Sequence, residues 1–387
     1  MPSPAESLRL LEADGLLRRQ RPLDSPTGVR VVREGRTLWN FASNDYLGLA
    51  RHPRIEAALI EGVQRYGAGS AASRLVCGTL PPHKLLEDAL AAAKQTEAAL
   101  TFSSGFATAL GCIPAIVGKS DFIILDKLAH ACLVDAARLS GATIRVYPHN
   151  DLEKLARLLS STRAKNADAR ILVITETVFS MDGDLCPLRE TVELAENHDA
   201  LLLIDEAHGF GVLGEQGMGL AEQEGLQQRI AFQMGTLSKS AGLSGGYLAA
   251  SREWIDLLTN RARAFIYSTA PPPCLAHAAI ASLDLIRSGE GQKLRQNLRE
   301  NISILADSPT PIIPIVLGSN EATLAAAADL ENAGFLVPAI RFPTVPRGTA
   351  RLRVSISAAH PPETLRELRG LLPETDPPPA SQNSLPH

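Results

Sequence analysis

Lys239 stands in Gly235-Thr236-Leu237-Ser238-Lys239-Ser240, just ahead of a glycine-rich stretch, and Asp205 closes an apolar run in Leu201-Leu202-Leu203-Ile204-Asp205-Glu206-Ala207-His208. A lysine amine among small hydroxyl side chains can form a Schiff base with an aldehyde. A carboxylate fixed at a strand end can keep a pyridine nitrogen protonated. Together they are the pair that pyridoxal phosphate requires to act as an electron sink. His208, three residues past Asp205, can reach the same ring and hydrogen-bond its phenolic oxygen. Each residue alone has a plainer use, since an Asp after a strand commonly caps a helix and a loop histidine commonly satisfies nearby backbone.

Three more segments have the same strand-then-turn form. Ser103-Ser104-Gly105-Phe106-Ala107 follows the run ending at Phe102 and opens a helical segment, which makes a phosphate seat from exposed N–H groups. His130, in Asp126-Lys127-Leu128-Ala129-His130-Ala131, follows another strand and can stack on an aromatic ring. Glu176 to Asp184 follows a further strand and carries Ser180 to the same sheet edge. Four strand ends are thus expected to converge on one crevice, where open α/β sheets keep their ligands.

The elements that must position them are apolar runs of strand length, Ala98 to Phe102, Phe122 to Leu125, Ile144 to Tyr147, Ile171 to Thr175 and Leu201 to Ile204, alternating with helical segments. Such runs predict an α/β fold with a mainly parallel sheet covered on both faces. Gly245 to Ala250 follows Lys239 too soon for a crossover and is expected as an antiparallel neighbour. Beyond residue 284 come a strand at Ile312 to Leu317, a helix from Glu321, and strands at Phe335 to Ile340 and Arg351 to Ser357. The expected division is an N-terminal arm (1–40), a large cofactor-binding domain (41–283), a small α+β domain (284–373) and a disordered Pro- and Ser-rich tail (374–387). Leu8, Leu11 and Leu16 give the arm an amphipathic face that Arg18, Arg19 and Arg21 close.

Of the 387 residues, 45% are hydrophobic and 21% charged, with a net charge of −4 and no block of like charges, so no nucleic-acid or anionic-membrane surface is expected. Five scattered cysteines without a Cys-x-x-Cys pair predict neither a zinc site nor a disulfide framework and fit a reducing cytoplasm. No signal peptide and no membrane span of about 20 apolar residues is evident.

Three short patterns compete. Asp205-Glu206-Ala207-His208 spells a helicase box, but no phosphate loop ending in Gly-Lys-Ser/Thr accompanies it. Gly209-Phe210-Gly211-Val212-Leu213-Gly214 matches a dinucleotide fingerprint, but starts late and continues into further glycines. Gly242-Leu243-Ser244-Gly245-Gly246 matches a nucleophile elbow and keeps a serine hydrolase using Ser244 as an alternative, although the residues after it are strand-like and not helical.

Taken together, Ser43-Asn44-Asp45-Tyr46-Leu47-Gly48-Leu49, Ser104-Gly105-Phe106, His130, Ser180-Met181-Asp182-Gly183-Asp184, Asp205 to Gly209, Thr236-Leu237-Ser238-Lys239, Tyr267-Ser268-Thr269 and Ile340 to Pro346 resemble, in order, the α-oxoamine synthases. These are pyridoxal-phosphate enzymes of the aspartate-aminotransferase fold (fold type I). The resemblance implies that Lys239 carries the cofactor covalently, with Gly105, Phe106 and Thr236 on its phosphate, Ser180 and His208 near its ring, Asp205 on its nitrogen and His130 stacked above. It implies a homodimer in which Thr269 reaches the neighbouring subunit's phosphate. Arg18, His130 and Thr344 would meet substrate, and Arg341 and Arg353 would recognise a carboxylate. The likeness is strongest to the branch joining L-alanine to a pimeloyl thioester of coenzyme A or a carrier protein, with a glycine-using sister synthase as the alternative. Ala71 and Ala72 replace glycines of the family pattern, Cys77 a serine and Phe210 a threonine. A changed shape is therefore expected in the loop of Ala71 and Ala72.

Overall fold

The computed structural model describes residues 3–373, so the expected tail at 374–387 lies outside the described residues. Two units emerge: one comprises the chain up to Asn44, Met181–Gly183 and the chain from Leu298; the other comprises Asp45–Ser180 and Asp184–Asn297. The N-terminal segment thus groups with the C-terminal one, which begins at Leu298.

In the first unit, Ser3 and Glu6 form a reciprocal capping box that starts helix Pro4–Ala13. A hairpin comes next, β1 (Arg30–Arg33) against β2 (Arg36–Asn40), turning at Glu34 and Gly35 with φ of 53° and 72°. Sequence reading gave no strands here, because the runs are short and carry arginines.

The second unit is built on β3 (Ala98–Phe102), β4 (Phe122–Asp126), β5 (Thr143–Tyr147), β6 (Ile171–Glu176), β7 (Leu201–Asp205), β8 (Phe232–Thr236) and β9 (Gly246–Ala250). They form one sheet in the order β3-β9-β8-β7-β6-β4-β5, with β9 antiparallel to both neighbours and every other pair parallel. Its core packs Ile123, Leu125, Leu172, Ile174, Leu203 and Phe232 with Ala109, Cys112 and Ile113 of helix Gly105–Ile116. Each such large side chain contributes about 1.5–3 kcal/mol by leaving water, enough to hold strand ends that carry buried charge. An added Cβ at Gly246 would lie 2.5 Å from Ser104 O and 2.6 Å from Gly105 N, so the helix start seats on β9 only because residue 246 has no side chain.

Back in the first unit, β10 (Ile312–Gly318), β11 (Phe335–Leu336), β12 (Ala339–Ile340) and β13 (Ala350–Ser355) complete two small sheets, β10-β13-β12 and β1-β2-β11. The single strand expected at Phe335 to Ile340 is two short ones in different sheets, broken at Val337-Pro338, where proline removes a ladder donor. Among the described residues, no helix is long and apolar enough to cross a membrane, and no His, Cys, Asp and Glu group could hold a metal ion.

Candidate active site

Strand order and direction put the carboxyl ends of β3, β8, β7, β6 and β4 on one sheet edge. Asp205 and Glu176 end β7 and β6 as register partners, Thr236 ends β8, and His130 follows β4. Asp205 is 4% exposed and accepts the Ala207 N–H at 2.9 Å. Lys239 Nζ lies 2.7 Å from His208 Nε2, and His208 Nδ1 lies 2.7 Å from the Tyr46 hydroxyl.

Burial pushes the Asp205 carboxyl up, while the Lys239 cation, the Ala207 N–H and His130 pull it back. Burial and the charge of Asp205 raise Glu176 well above the usual carboxylate range. Two carboxyls on adjacent strand ends do not both ionise readily; the charge settles on Asp205, which has the cation and the N–H, and Glu176 keeps a proton. Burial also holds His130 below the usual imidazole range, with Lys239 adding to the effect and Asp205 opposing it. His130 caps helix Ala131–Ser140, its Nδ1 accepting the Cys132 N–H at 3.2 Å with Cys132 Sγ at 3.0 Å. The neutral ring therefore carries its proton on Nε2.

At the start of helix Gly105–Ile116, Ser104 Oγ accepts the Ala107 N–H at 3.0 Å. The first two N–H groups, of Gly105 and Phe106, have no intrahelical carbonyl and point out of the helix start, as an anion needs. A Cβ on Gly105 would be 3.5 Å from Thr236 Cβ, so the hydroxyl of Thr236, 2.7 Å from Ser238 Oγ, belongs to the same seat. Ser180 is buried in the loop after β6, and that loop is clipped by His149. His149 Nε2 is 2.6 Å from Asp184 and its Nδ1 3.1 Å from Asp126, with the Phe179 ring edge-on at 4.3 Å. Burial disfavours the charged ring, but the two carboxylates outweigh it and raise His149 to about 10.

Thr269 is exposed and bridges Ser73. The Ala71 nearby holds φ at 56°, a left-handed backbone that a non-glycine residue adopts at a cost.

The remaining candidates lie in the other unit. Arg18 Nη2 donates to Thr344 Oγ1 at 3.2 Å, and Arg341 donates to Gly15 O. Burial and then the charge of Arg18 lower the Arg341 pKa, which places two guanidiniums within electrostatic reach. Arg353 is 4% exposed and donates to Asn44 Oδ1 at 3.0 Å and Ser355 Oγ at 2.7 Å.

Tyr46, Glu176, Cys132 and His149 adjoin these candidates, and sequence does not single them out. Tyr46 stands in a family-like run, but nothing local links it to His208. The competing patterns resolve into structure. Glu206 is buried, accepting from Thr177 Oγ1 at 2.7 Å and from the N–H groups of Leu220 and Ala221. A Cβ at Gly209 would fall 2.2 Å from that carboxylate, so this glycine makes room for Glu206. Ser244 is exposed and has no histidine hydrogen-bonded to it among the described residues, which removes the hydrolase geometry.

An amine, a buried carboxylate, two imidazoles and an open helix start on one sheet edge fit, in kind and number, the aldehyde, ring nitrogen, ring face, phenolic oxygen and phosphate of pyridoxal phosphate. Residues 36–372 match the family described as aminotransferase class I and II. The chain is 48% identical over 385 residues to the 8-amino-7-oxononanoate synthase of Bordetella petrii, covering 96% of each. It is 45% identical over 371 residues to that of Pelobacter propionicus, covering 93% of this chain and 94% of the relative. Among solved structures, a serine palmitoyltransferase from S. paucimobilis with a bound PLP–myriocin aldimine aligns with a TM-score of 0.89 at 28% identity, covering 95% of both chains.

Proposed function

Because the chain belongs to the class I and II aminotransferases and, within them, to the 8-amino-7-oxononanoate synthase family, we propose that it joins L-alanine to a pimeloyl thioester, releasing carbon dioxide and the free thiol carrier and giving 8-amino-7-oxononanoate for biotin synthesis. Its cofactor is pyridoxal phosphate, held at Lys239. When bound, it supplies an electron-poor ring that takes up the charge left at the amino acid's α-carbon.

The carrying observation is the Lys239 amine 2.7 Å from His208, with Asp205 at the neighbouring strand end. Asp205 holds a proton at the ring nitrogen, because its own burial favours an ionic partner over water. Lys239 moves the α-proton, and His208 orients the amine that does so. Gly105, Phe106 and Thr236 would hold the phosphate and Ser180 and His208 the phenolic edge, and His130, with its proton on Nε2, would stack on the ring and offer a donor to substrate. Arg341, with Arg18 and Thr344, takes a substrate carboxylate, which two mutually repelling guanidiniums accommodate well. Arg353 serves the same recognition from its buried position.

Two copies form the working unit, with Thr269 of each on the phosphate of the other. The exposed apolar side chains Val76, Tyr267 and Leu75, 78%, 70% and 52% exposed, support burial against a second copy. Five free cysteines support a reducing, cytoplasmic setting. The donor is pimeloyl-coenzyme A or its carrier-protein equivalent.

The test is a visible spectrum and a product assay with alanine and pimeloyl-coenzyme A. Lys239→Ala is expected to lose both the lysine-linked absorption band and turnover. A variant that keeps both, or a wild-type protein that reacts with glycine but not alanine, overturns the reading.

A further inference from the structure

We propose that Tyr46 is a positioning residue that fixes the imidazole of His208 so that its Nε2–H faces the Lys239 amine. The three side chains form one line, with 2.7 Å at each link. Tyr46 is 0% and His208 4% exposed, so water does not substitute for the link between them.

The line is held by its backbone. Asp45, next to Tyr46, accepts the N–H groups of Leu49 at 2.7 Å and Ala50 at 3.0 Å, fixing the adjoining turn. That turn lies directly on the loop after Lys239: a Cβ at Gly242 would meet Ala50 N and Leu49 C at 2.5 Å. From the other side, a Cβ at Gly211 would meet Ser240 Cβ at 2.4 Å and Leu47 Cδ1 at 3.4 Å. Two glycines with positive φ thus let the Tyr46 segment and the Lys239 loop seat on one another.

The direction of the hydrogen bonds is set by chemistry. A phenol donates well to an imidazole nitrogen and accepts poorly, so Nδ1 is the acceptor and the neutral ring keeps its proton on Nε2. Once Lys239 is in the neutral form that takes up a proton, Nε2–H donates to Nζ and aligns its lone pair along that bond. The other ionisable groups around the line are Asp45 on the Tyr46 segment and Asp205, Glu206, Glu176 and His130 from the strand ends.

This inference rests on Lys239 as the cofactor lysine, and the experiment separates the two. In the cofactor-loaded protein, Tyr46→Phe is expected to keep the visible band but to move the pH midpoint of its absorbance change by about one unit. It is expected to lower kcat about tenfold, with KM for alanine within about twofold. His208→Gln is expected to move the midpoint as well, and adding Tyr46→Phe to it is expected to change nothing further. Additive effects, or an unmoved midpoint in Tyr46→Phe, overturn the proposal. Loss of the cofactor reading would show instead as a Lys239→Ala protein that retains the band. Should Tyr46→Phe fail to retain cofactor, the ¹⁵N shift of His208 Nδ1 in cofactor-free protein, read at a pH where Lys239 is neutral, decides: it leaves its acceptor value if Tyr46 donates to it, and an unmoved shift overturns the proposal.

Discussion

The unit built on the seven-stranded sheet and the unit holding both chain ends treat charge in opposite ways. In the first, strand ends bring together the buried Asp205 and Glu176, the half-buried Lys239 and the exposed His130, and the charges of Lys239 and Asp205 act on the ionisation of their neighbours. In the second, Arg18 meets Arg341 and Thr344 of one loop far off in sequence, and their side-chain hydrogen bonds are part-buried or exposed. Where dielectric is low, a small change in a neighbour's charge is felt strongly; where solvent enters, it is screened. The unit built on the seven-stranded sheet is therefore suited to chemistry, and the unit of Arg18 and Arg341 to recognition.

The contrast is broken most directly at Asp205. Asp205→Asn keeps the shape but removes the charge, and kcat is expected to fall by about 10²–10³, read under saturating alanine and thioester. A kcat within a few-fold of wild type would show that the buried carboxylate does not act on the ring. At Arg341 the expected signature is different: Arg341→Ala raises KM for one substrate about tenfold with little change in kcat, and Arg341→Lys recovers only part of it, because an ammonium lacks the two-pronged donor set. A matching fall in kcat would erase the distinction between the units.

The smallest effects concern two histidines. His149 is raised to about 10 and His360 is lowered to about 4, the latter by burial, with its ring stacked on Phe41 at 4.1 Å. Against an unfolded value of about 6.5, folded His149 binds the extra proton, so its contribution is complete below that pH and is lost as pH rises towards about 10. Folded His360 binds fewer protons, so its contribution is present above about 6.5 and is lost as pH falls towards about 4. Urea unfolding at a series of pH values should show the alkaline loss flattened in His149→Gln and the acidic loss flattened in His360→Asn. The reverse assignment would refute both signs.

Legibility in the sequence divides along the same line. Asp205 and His208 sit within one turn of each other after an unbroken apolar run, so that buried strand end announces itself locally, whereas β8, which leads to Lys239, is interrupted by Gln233 and escapes sequence reading. Tyr46 and His208 are separated by 162 positions and Arg18 and Thr344 by 326, and no local pattern records which loops meet. The β1–β2 hairpin escapes sequence reading because its arginines mask the alternation, and Phe335 to Ile340 reads as one strand because its apolar character runs through Pro338. Glu176 gives no signal of its own, because it is burial beside the charge of Asp205 that keeps it protonated.

The reversed direction of β9 has a mechanical result. Residues 237–245 leave the sheet at Thr236 and re-enter it at Gly246, cinched by Leu237 N–H to Gly245 O at 2.9 Å and Leu243 N–H to Leu237 O at 3.0 Å. The stretch bearing the amine is thus a short bight tied off at both ends, with no slack to swing. Whatever distance the nitrogen travels during a catalytic cycle must come from rotations along its own four-carbon stem, and reactants have to be delivered within that radius.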